Sequence, residues 1–559
     1  MSAQHVDAGK AEAWMLEAFG MSLDEYKDNQ YGRFPLAYIT TAKRIVERSG
    51  VGPVLEEWFA EERKGVAGRK ADISMQAVLI VLLMHVLDGR GVVFTKMAET
   101  LANRLEPGDF ALIGIKASEG SEKEWFHRLW RSAQKLIKLV DSRPAPRHKK
   151  LKKNQFAKLL AALDQPMCDL KETRMRWMCN QLVEGSVSLM PREVMRRYKG
   201  NLAIDATRVD ILGKAGNPGK GKDHKKRRSI DVFAGYWRRG GSHGGTGRRT
   251  EIWSYELELG VWVRNTPDGP DEFPLVASAV GFHQPGKVRG EGLLLLNSIR
   301  DRGHAIGTLM SDRAYVPSAR PEELQAPARA MGWIFVADYK KTQLGLQAWH
   351  EDAILVDGTW YVKYMPQTLI NATADSRNGR IDKKTRNGRL EARIPYMLKP
   401  KGRPDPEGYQ RFSYPPVGSY SAVEPVSQKH LRAPKTPSSL TIPPSAGMKY
   451  RQHLQYNSKP WKKWYALRNT VESFNKSLKD SNAEGLADPG KRPGRGYTFA
   501  FLASTLAVVS ANVRKIATFI RSVVDPVPSK ARTRAPRRVD VMKRFFSEEH
   551  SPAIPAPPQ

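Results

Sequence analysis

The stretch Asn201-Leu-Ala-Ile-Asp-Ala-Thr207 decides the fold. It is a short strand-like run between polar segments, and one acid, Asp205, interrupts it. A carboxylate inside a strand is costly to bury unless it is paired or binds a cation. Working outward, residues 202–212, 229–238 and 252–264 read as extended, with no helix between them, which favours an antiparallel meander. Residues 288–303 then read as a helix, 306–312 as a strand, 321–331 as a helix and 333–339 as a strand. The second of these strands, Ile306-Gly-Thr-Leu-Met-Ser-Asp312, again delivers one acid at its end. Acids gathered in one place repel one another, and a divalent metal is the usual remedy.

A third acid comes from a helical segment. Between Tyr465 and Lys479 the chain carries Tyr-x2-Arg-x3-Glu-x6-Lys. At ~100° per residue, Tyr465, Arg468, Glu472 and Lys479 fall within roughly 60° of one another on a single helix. Trp464, Leu467, Val471, Phe474 and Leu478 form a separate apolar stripe that can dock on a core. Ser458 is placed to cap and Pro460 to sit in the first turn. An aromatic ring, a carboxylate and two cations on one edge suit a metal held beside a nucleic-acid backbone. Taken alone, the segment also fits an ordinary amphipathic helix with a solvated face.

Together, these residues resemble the DDE transposases of bacterial insertion sequences, the class marked by a Tyr-Arg-Glu-Lys signature. Asp205 in Ile-Asp-Ala-Thr matches the first acid, Asp312 in Ser-Asp-Arg-Ala-Tyr the second and Glu472 the third. The resemblance covers about residues 199–521. It implies an α/β fold: an RNase H-like catalytic core, a mixed five-stranded sheet with helices, interrupted by a β-rich insertion and preceded by a helical N-terminal region. The expected organisation is a helical DNA-binding region over 1–142, a basic helical connector over 143–198, the first part of the core over 199–341, the insertion over 342–457, the return helices of the core over 458–524 and a basic, disordered Pro/Arg-rich tail over 525–559.

The activity implied is cut-and-paste DNA transposition. Asp205, Asp312 and Glu472 are the expected catalytic and metal-binding residues, holding two Mg²⁺ ions with Mn²⁺ as a substitute. Water nicks the element's end, and the freed 3′-OH attacks the opposite strand or the target DNA. Tyr465, Arg468 and Lys479 carry over as contacts to the terminal phosphates and the flipped base. Arg313, beside the second acid, is a phosphate contact on position alone. The expected partners are double-stranded DNA, in terminal inverted repeats and target, and a second copy of the chain on paired ends. A bacterial cytoplasmic, nucleoid-associated location goes with that activity. A domesticated DNA-binding descendant and another RNase H-like nuclease remain alternatives, as does a basic structural or RNA-binding protein.

Composition points the same way. In 559 residues the net charge is +33 and the isoelectric point about 10.0, which calls for a polyanionic partner. The apolar stretches 77–87 and 498–513 read as too short or too interrupted to span a bilayer, and no signal core opens the chain. Two cysteines, Cys168 and Cys179, supply neither a disulfide framework nor a zinc cluster and read as buried thiols. Gly216-Asn-Pro-Gly-Lys-Gly-Lys222 approaches a phosphate-binding loop, but Asp223 stands where Ser or Thr should hold magnesium. No nucleotide cofactor is expected.

Residues 72–88 and 95–105, joined by Gly89-Arg-Gly91, fit either a DNA-reading helix-turn-helix or a plain hairpin in a bundle. The run 143–158 is basic enough to meet phosphates. Trp349 and Trp360 in the insertion have the chemistry to stack on a base, with no local motif to choose between them.

Overall fold

A computed structural model describes residues 32–63, 72–146, 149–213, 229–239, 250–316, 319–405, 407–432, 434 and 436–524, with a few isolated positions before residue 32. The near-miss phosphate loop, residues 240–249 and the tail from residue 525 lie outside these residues. One compact unit comprises Met1–Ile516; in the second, Ala517–Gln559, the described residues are the helical 517–524.

The first part is helical: α1 (Leu36–Ser49), α2 (Val51–Glu62), α3 (Met75–Leu87), α4 (Phe94–Asn103), α5 (Pro107–Ile113), α6 (Glu122–Val140), α7 (Lys153–Ala161), α8 (Gln165–Val187) and α9 (Arg192–Met195). Ser74 caps α3 by accepting from the Ala77 N–H. From Ala77 to Val86 every residue of α3 is buried, as a helix that is apolar all round requires. Helix α4 turns Phe94, Met97, Ala98 and Leu101 inward and leaves Thr95, Lys96 and Asn103 exposed, with Lys96 paired to Glu99 at 2.8 Å. The turn between α3 and α4 is pinned elsewhere: the Val92 N–H donates to the Lys491 carbonyl at 2.7 Å. The two helices thus pack within one bundle, with one edge of α4 left to solvent. One apolar core runs from these helices into the sheet that follows.

That sheet contains β1 (Leu202–Asp210), β2 (Gly235–Arg239), β3 (Thr250–Trp262), β4 (Ala277–His283), β5 (Thr308–Ser311) and β6 (Ile334–Ala337), with α10 (Glu291–Asp301) and α11 (Gln325–Ala330) in the crossovers. The order is β2-β3-β1-β5-β6, with β4 also on β3. Strand β1 is antiparallel to β3 and parallel to β5, and β5 is parallel to β6. β2 pairs residues 250–254 of β3 and β4 pairs residues 256–261, both on the edge away from β1.

The fold is thus mixed α/β, with six strands in the main sheet where five were expected. The additional strand is β4, and all seven of its residues are buried. Two side-chain amides satisfy its outer backbone: Asn180 of α8 exchanges bonds with Val280 (2.9 and 3.0 Å), and Asn512 does so with Ala277 (2.8 and 2.9 Å). A buried sheet edge needs such partners.

Between β6 and the signature segment lie two small antiparallel sheets, β7 (Leu346–His350) with β8 (Ala353–Val356) and β9 (Thr359–Val362), then β10 (Lys399–Pro400) with β11 (Gln410–Ser413) and β12 (Ser439–Ile442). Three helices the β-rich expectation did not include stand between the sheets: α12 (Gln367–Ile370), α13 (Ala372–Arg377) and α14 (Lys383–Ala392). A fully buried ion pair, Arg393–Asp357 at 2.8 Å, ties the first sheet to them, with Thr373 also donating to Asp357.

The signature segment is two helices and not one: α15 (Lys459–Ala466) and α16 (Asn469–Lys479), separated by a tighter turn in which Leu467 and Arg468 bond three residues back. Ser458 caps α15 as expected. The last helix, α17 (Tyr497–Val524), runs the length expected of the Ala-, Val- and Leu-rich segment 497–521 and three residues more. By length and composition it could cross a membrane, but 83% of its most apolar window is buried within the protein. Cys179 is buried; Cys168, contrary to expectation, is partly exposed.

Candidate active site

The sheet brings two of the three acids together. Ile204 of β1 is in register with Ser311, the last residue of β5. Asp205, still within β1, and Asp312, just past the end of the adjacent parallel strand β5, each come one residue later. Asp312 Oδ1 accepts the Ala314 N–H at 2.7 Å, and Asp205 Oδ1 accepts the Ala206 N–H at 3.0 Å. Burial, reinforced by the charge of Asp312 and opposed by Arg468, pushes the Asp205 carboxyl up to about 7. Burial also raises Asp312, against its bond from Ala314 and the charge of Arg468. The pair holds more negative charge than its surroundings neutralise.

Helices α15 and α16 cross the face of this pair. Arg468, at the break, reaches Asp205 (Nη1 to Oδ2, 3.6 Å) and hydrogen-bonds Glu472. The third acid is therefore linked to the first through a guanidinium, and its side chain is half exposed. Among the described residues no three His, Cys, Asp or Glu side chains converge as a ligand set.

Tyr465 stacks on Trp461 with ring centroids 4.6 Å apart. Burial, with Asp338 and opposed by Arg468, pushes its hydroxyl up to about 12. Burial lowers the Lys479 pKa, helped by Arg208 and opposed by Asp210 and Asp205, so it lies within electrostatic reach of the β1 acids. Arg313 pairs with Asp338 (2.8 Å), and Asp338 also accepts from the Tyr456 hydroxyl at 2.5 Å.

A cleft of about 540 Å³ opens over the acids, lined also by Tyr236, Trp237, Arg238 and Glu256. Behind that lining Arg208 lies over the Trp237 ring at 5.0 Å; one wall is therefore aromatic with two arginines, Arg208 paired to Asp210 and Arg238 to Glu251. Sequence reasoning missed this wall, and it missed Glu258, a fully buried carboxylate on β3. The available signal was Tyr255-Glu-Leu-Glu-Leu259, where two acids share one face of an otherwise apolar strand. Trp349 is half exposed and Trp360 buried, which leaves only the former able to meet a ligand face. The chain matches no known family model and no curated protein.

Proposed function

We propose that this chain is a metal-dependent DNA strand-cleaving and strand-joining enzyme, a DDE-type transposase built on an RNase H-like core. The observation that carries the reading is the seating of Asp205 in β1 beside the end of the parallel strand β5, from which Asp312 follows, with Arg468 of the signature segment reaching Asp205. The strand order, with β1 central between an antiparallel and a parallel neighbour, supports the same core.

The donor set fits a hard divalent cation in part. Two partly buried carboxylates whose affinity for protons is raised, mainly by desolvation, would gain from a cation, and oxygen-only donors suit Mg²⁺ or Mn²⁺. Asp205 and Asp312 would hold the ion, with Glu472 as the third ligand of the reading. Bound there, it would acidify an attacking water or 3′-hydroxyl and stabilise the departing oxygen. In the cleavage step the water oxygen bonds to phosphorus, the P–O3′ bond breaks, and a 3′-hydroxyl and a 5′-phosphate result. Arg468 and the wall at Arg208 and Arg238 meet the phosphate backbone, and no covalent protein–DNA link is needed.

A second reading, a DNA-binding descendant without catalysis, is favoured by one observation: Glu472 is engaged by Arg468 and does not converge on the aspartates. One experiment separates the two. Asp205→Ala, Asp312→Ala and Glu472→Ala should each abolish Mg²⁺-dependent nicking of DNA carrying the flanking inverted repeats, with binding to that DNA retained. Wild-type protein that binds the ends but never cuts them establishes the second reading, and a cutting Asp205→Ala protein removes the first.

A further inference from the structure

Behind the sheet, away from Arg468, lies a buried polar chain that the proposed chemistry does not use. Glu258 is fully buried in β3, in register with Ala206 on one side and Gly281 on the other. Opposed residues of an antiparallel ladder share a face. Glu258 therefore lies on the face opposite Asp205, whose own partner is Leu259.

Two groups bond to Glu258. One is the Tyr315 hydroxyl; the other is His283 Nε2, at 2.7 Å. The other ring nitrogen of His283 is 2.7 Å from the Gln284 carbonyl. Although burial opposes it, the bond and charge of Glu258 push His283 up to about 9, so an imidazolium donates at both ends. Gly281 leaves the room: a Cβ there would stand 3.3 Å from that of Glu258 and 2.9 Å from Glu291 Oε2.

A buried ion pair is a poor source of stability, because desolvation offsets most of the attraction. What the chain does hold is the turn that follows β5. The β1–β5 ladder ends at Ser311. Beyond it, Asp312 turns back on the Ala314 N–H, and Tyr315 reaches through to Glu258 while lining the cleft with Asp205 and Asp312.

We propose that Tyr315, anchored on the Glu258–His283 pair, is a positioning residue that fixes the turn carrying Asp312. The inference rests on the reading of Asp205 and Asp312 as a metal-binding pair. Second-layer partners of metal ligands typically change affinity by roughly 10–100-fold.

The test uses the full chain, with Mn²⁺ as the probe, titrated by its paramagnetic resonance signal without DNA. Tyr315→Phe removes one hydroxyl and nothing else. Its Mn²⁺ dissociation constant should rise about tenfold, kcat for nicking should fall with KM for DNA unchanged, and the thermal midpoint should stay within about 5 °C. Wild-type Mn²⁺ affinity and turnover in Tyr315→Phe overturn the proposal. Should that variant fold poorly, Glu258→Gln, of nearly equal volume, takes its place, with the same loss expected and wild-type affinity again overturning it. Asp312→Asn separates the two levels: if it binds Mn²⁺ as the wild type does, the metal-binding reading itself fails and this inference with it. If Asp312→Asn loses Mn²⁺ and Tyr315→Phe does not, only the positioning role is lost.

Discussion

At the scale of single residues, Asp205 sets a pH dependence whose sign can be worked out. Its carboxyl rises from 3.8 to about 7 on folding, mainly through burial and then through Asp312. The folded chain thus binds more protons than the unfolded one between these values, and stability falls as pH rises from about 4 to 7. Asp205→Asn removes that cost. At pH 8, without divalent metal, it should raise the thermal midpoint, by up to about 4 kcal/mol of stability at roughly 1.4 kcal/mol per pKa unit, and the gain should vanish at pH 4. Scanning calorimetry at the two values checks this; equal midpoints at pH 8 would mean the carboxyl titrates normally. Asp205 and Asp312 were legible because an acid in an apolar run has few explanations. His283 and Tyr315 were not, since their partnership with Glu258 joins separate segments; Glu258 itself carried a signal, but next to Glu256 it gave the run the alternation of an ordinary half-exposed strand. The place of Arg468 between two acids was equally hidden: spacing put it on the right edge but could not say that it would bind Glu472.

At the scale of elements, close approach decides more than periodicity does. Helix α8 lies so near α1 that a Cβ on Gly185 would come within 2.4 Å of the Ile45 carbonyl oxygen. On the exposed helix α14, a Cβ on Gly388 would meet nothing within 4 Å. Gly388→Ala should stabilise by about 0.5–1 kcal/mol, the usual helical cost of glycine. Gly185→Ala gains the same term and loses more to overpacking, about 1–3 kcal/mol. Opposite shifts in thermal midpoint are expected, and a rise in both would mean that α1 and α8 are not in contact. The same distinction explains what the sequence concealed. β4 is buried on both faces, so Ala277-Ser-Ala-Val-Gly-Phe-His283 shows none of the alternation that marks a half-exposed strand. Helix α14 buries only Leu390 and so has no apolar stripe to read. The break at Leu467–Arg468 carries neither Pro nor Gly to announce it. Strands β1, β5, β6, β8 and β9 and helices α3, α6 and α10 were legible because each is a compact apolar run or stripe bounded by clear turn signals.

At the scale of the whole molecule, the charge of +33 is unevenly answered. In and around α8, cations meet acids: Arg174 pairs with Glu61 and Glu62, Arg176 with Glu172 and Glu291, and Arg302 with Glu184. The segment between β6 and α15 instead presents Lys383, Lys384, Lys399, Lys401 and Arg403 to solvent. Surface cations of this kind bind a phosphate backbone by releasing its counterions, and each phosphate neutralised contributes roughly 0.9 to the slope of log K against log salt. If this segment borders the DNA path, replacing Lys383, Lys384, Lys399 and Lys401 together by Ala should flatten that slope by up to about 3.6, uniformly across DNA sequences. Asp205→Ala, which takes away an acid and no cation, should leave it unchanged. Fluorescence anisotropy across a salt series measures both. A fourfold variant with the wild-type slope would move the DNA to the wall formed by Arg208, Trp237 and Arg238, where Arg208→Ala should then carry the loss. That outcome would still seat the backbone over Asp205 and Asp312, because Trp237 and Arg238 line the same cleft and Arg208 lies over the Trp237 ring.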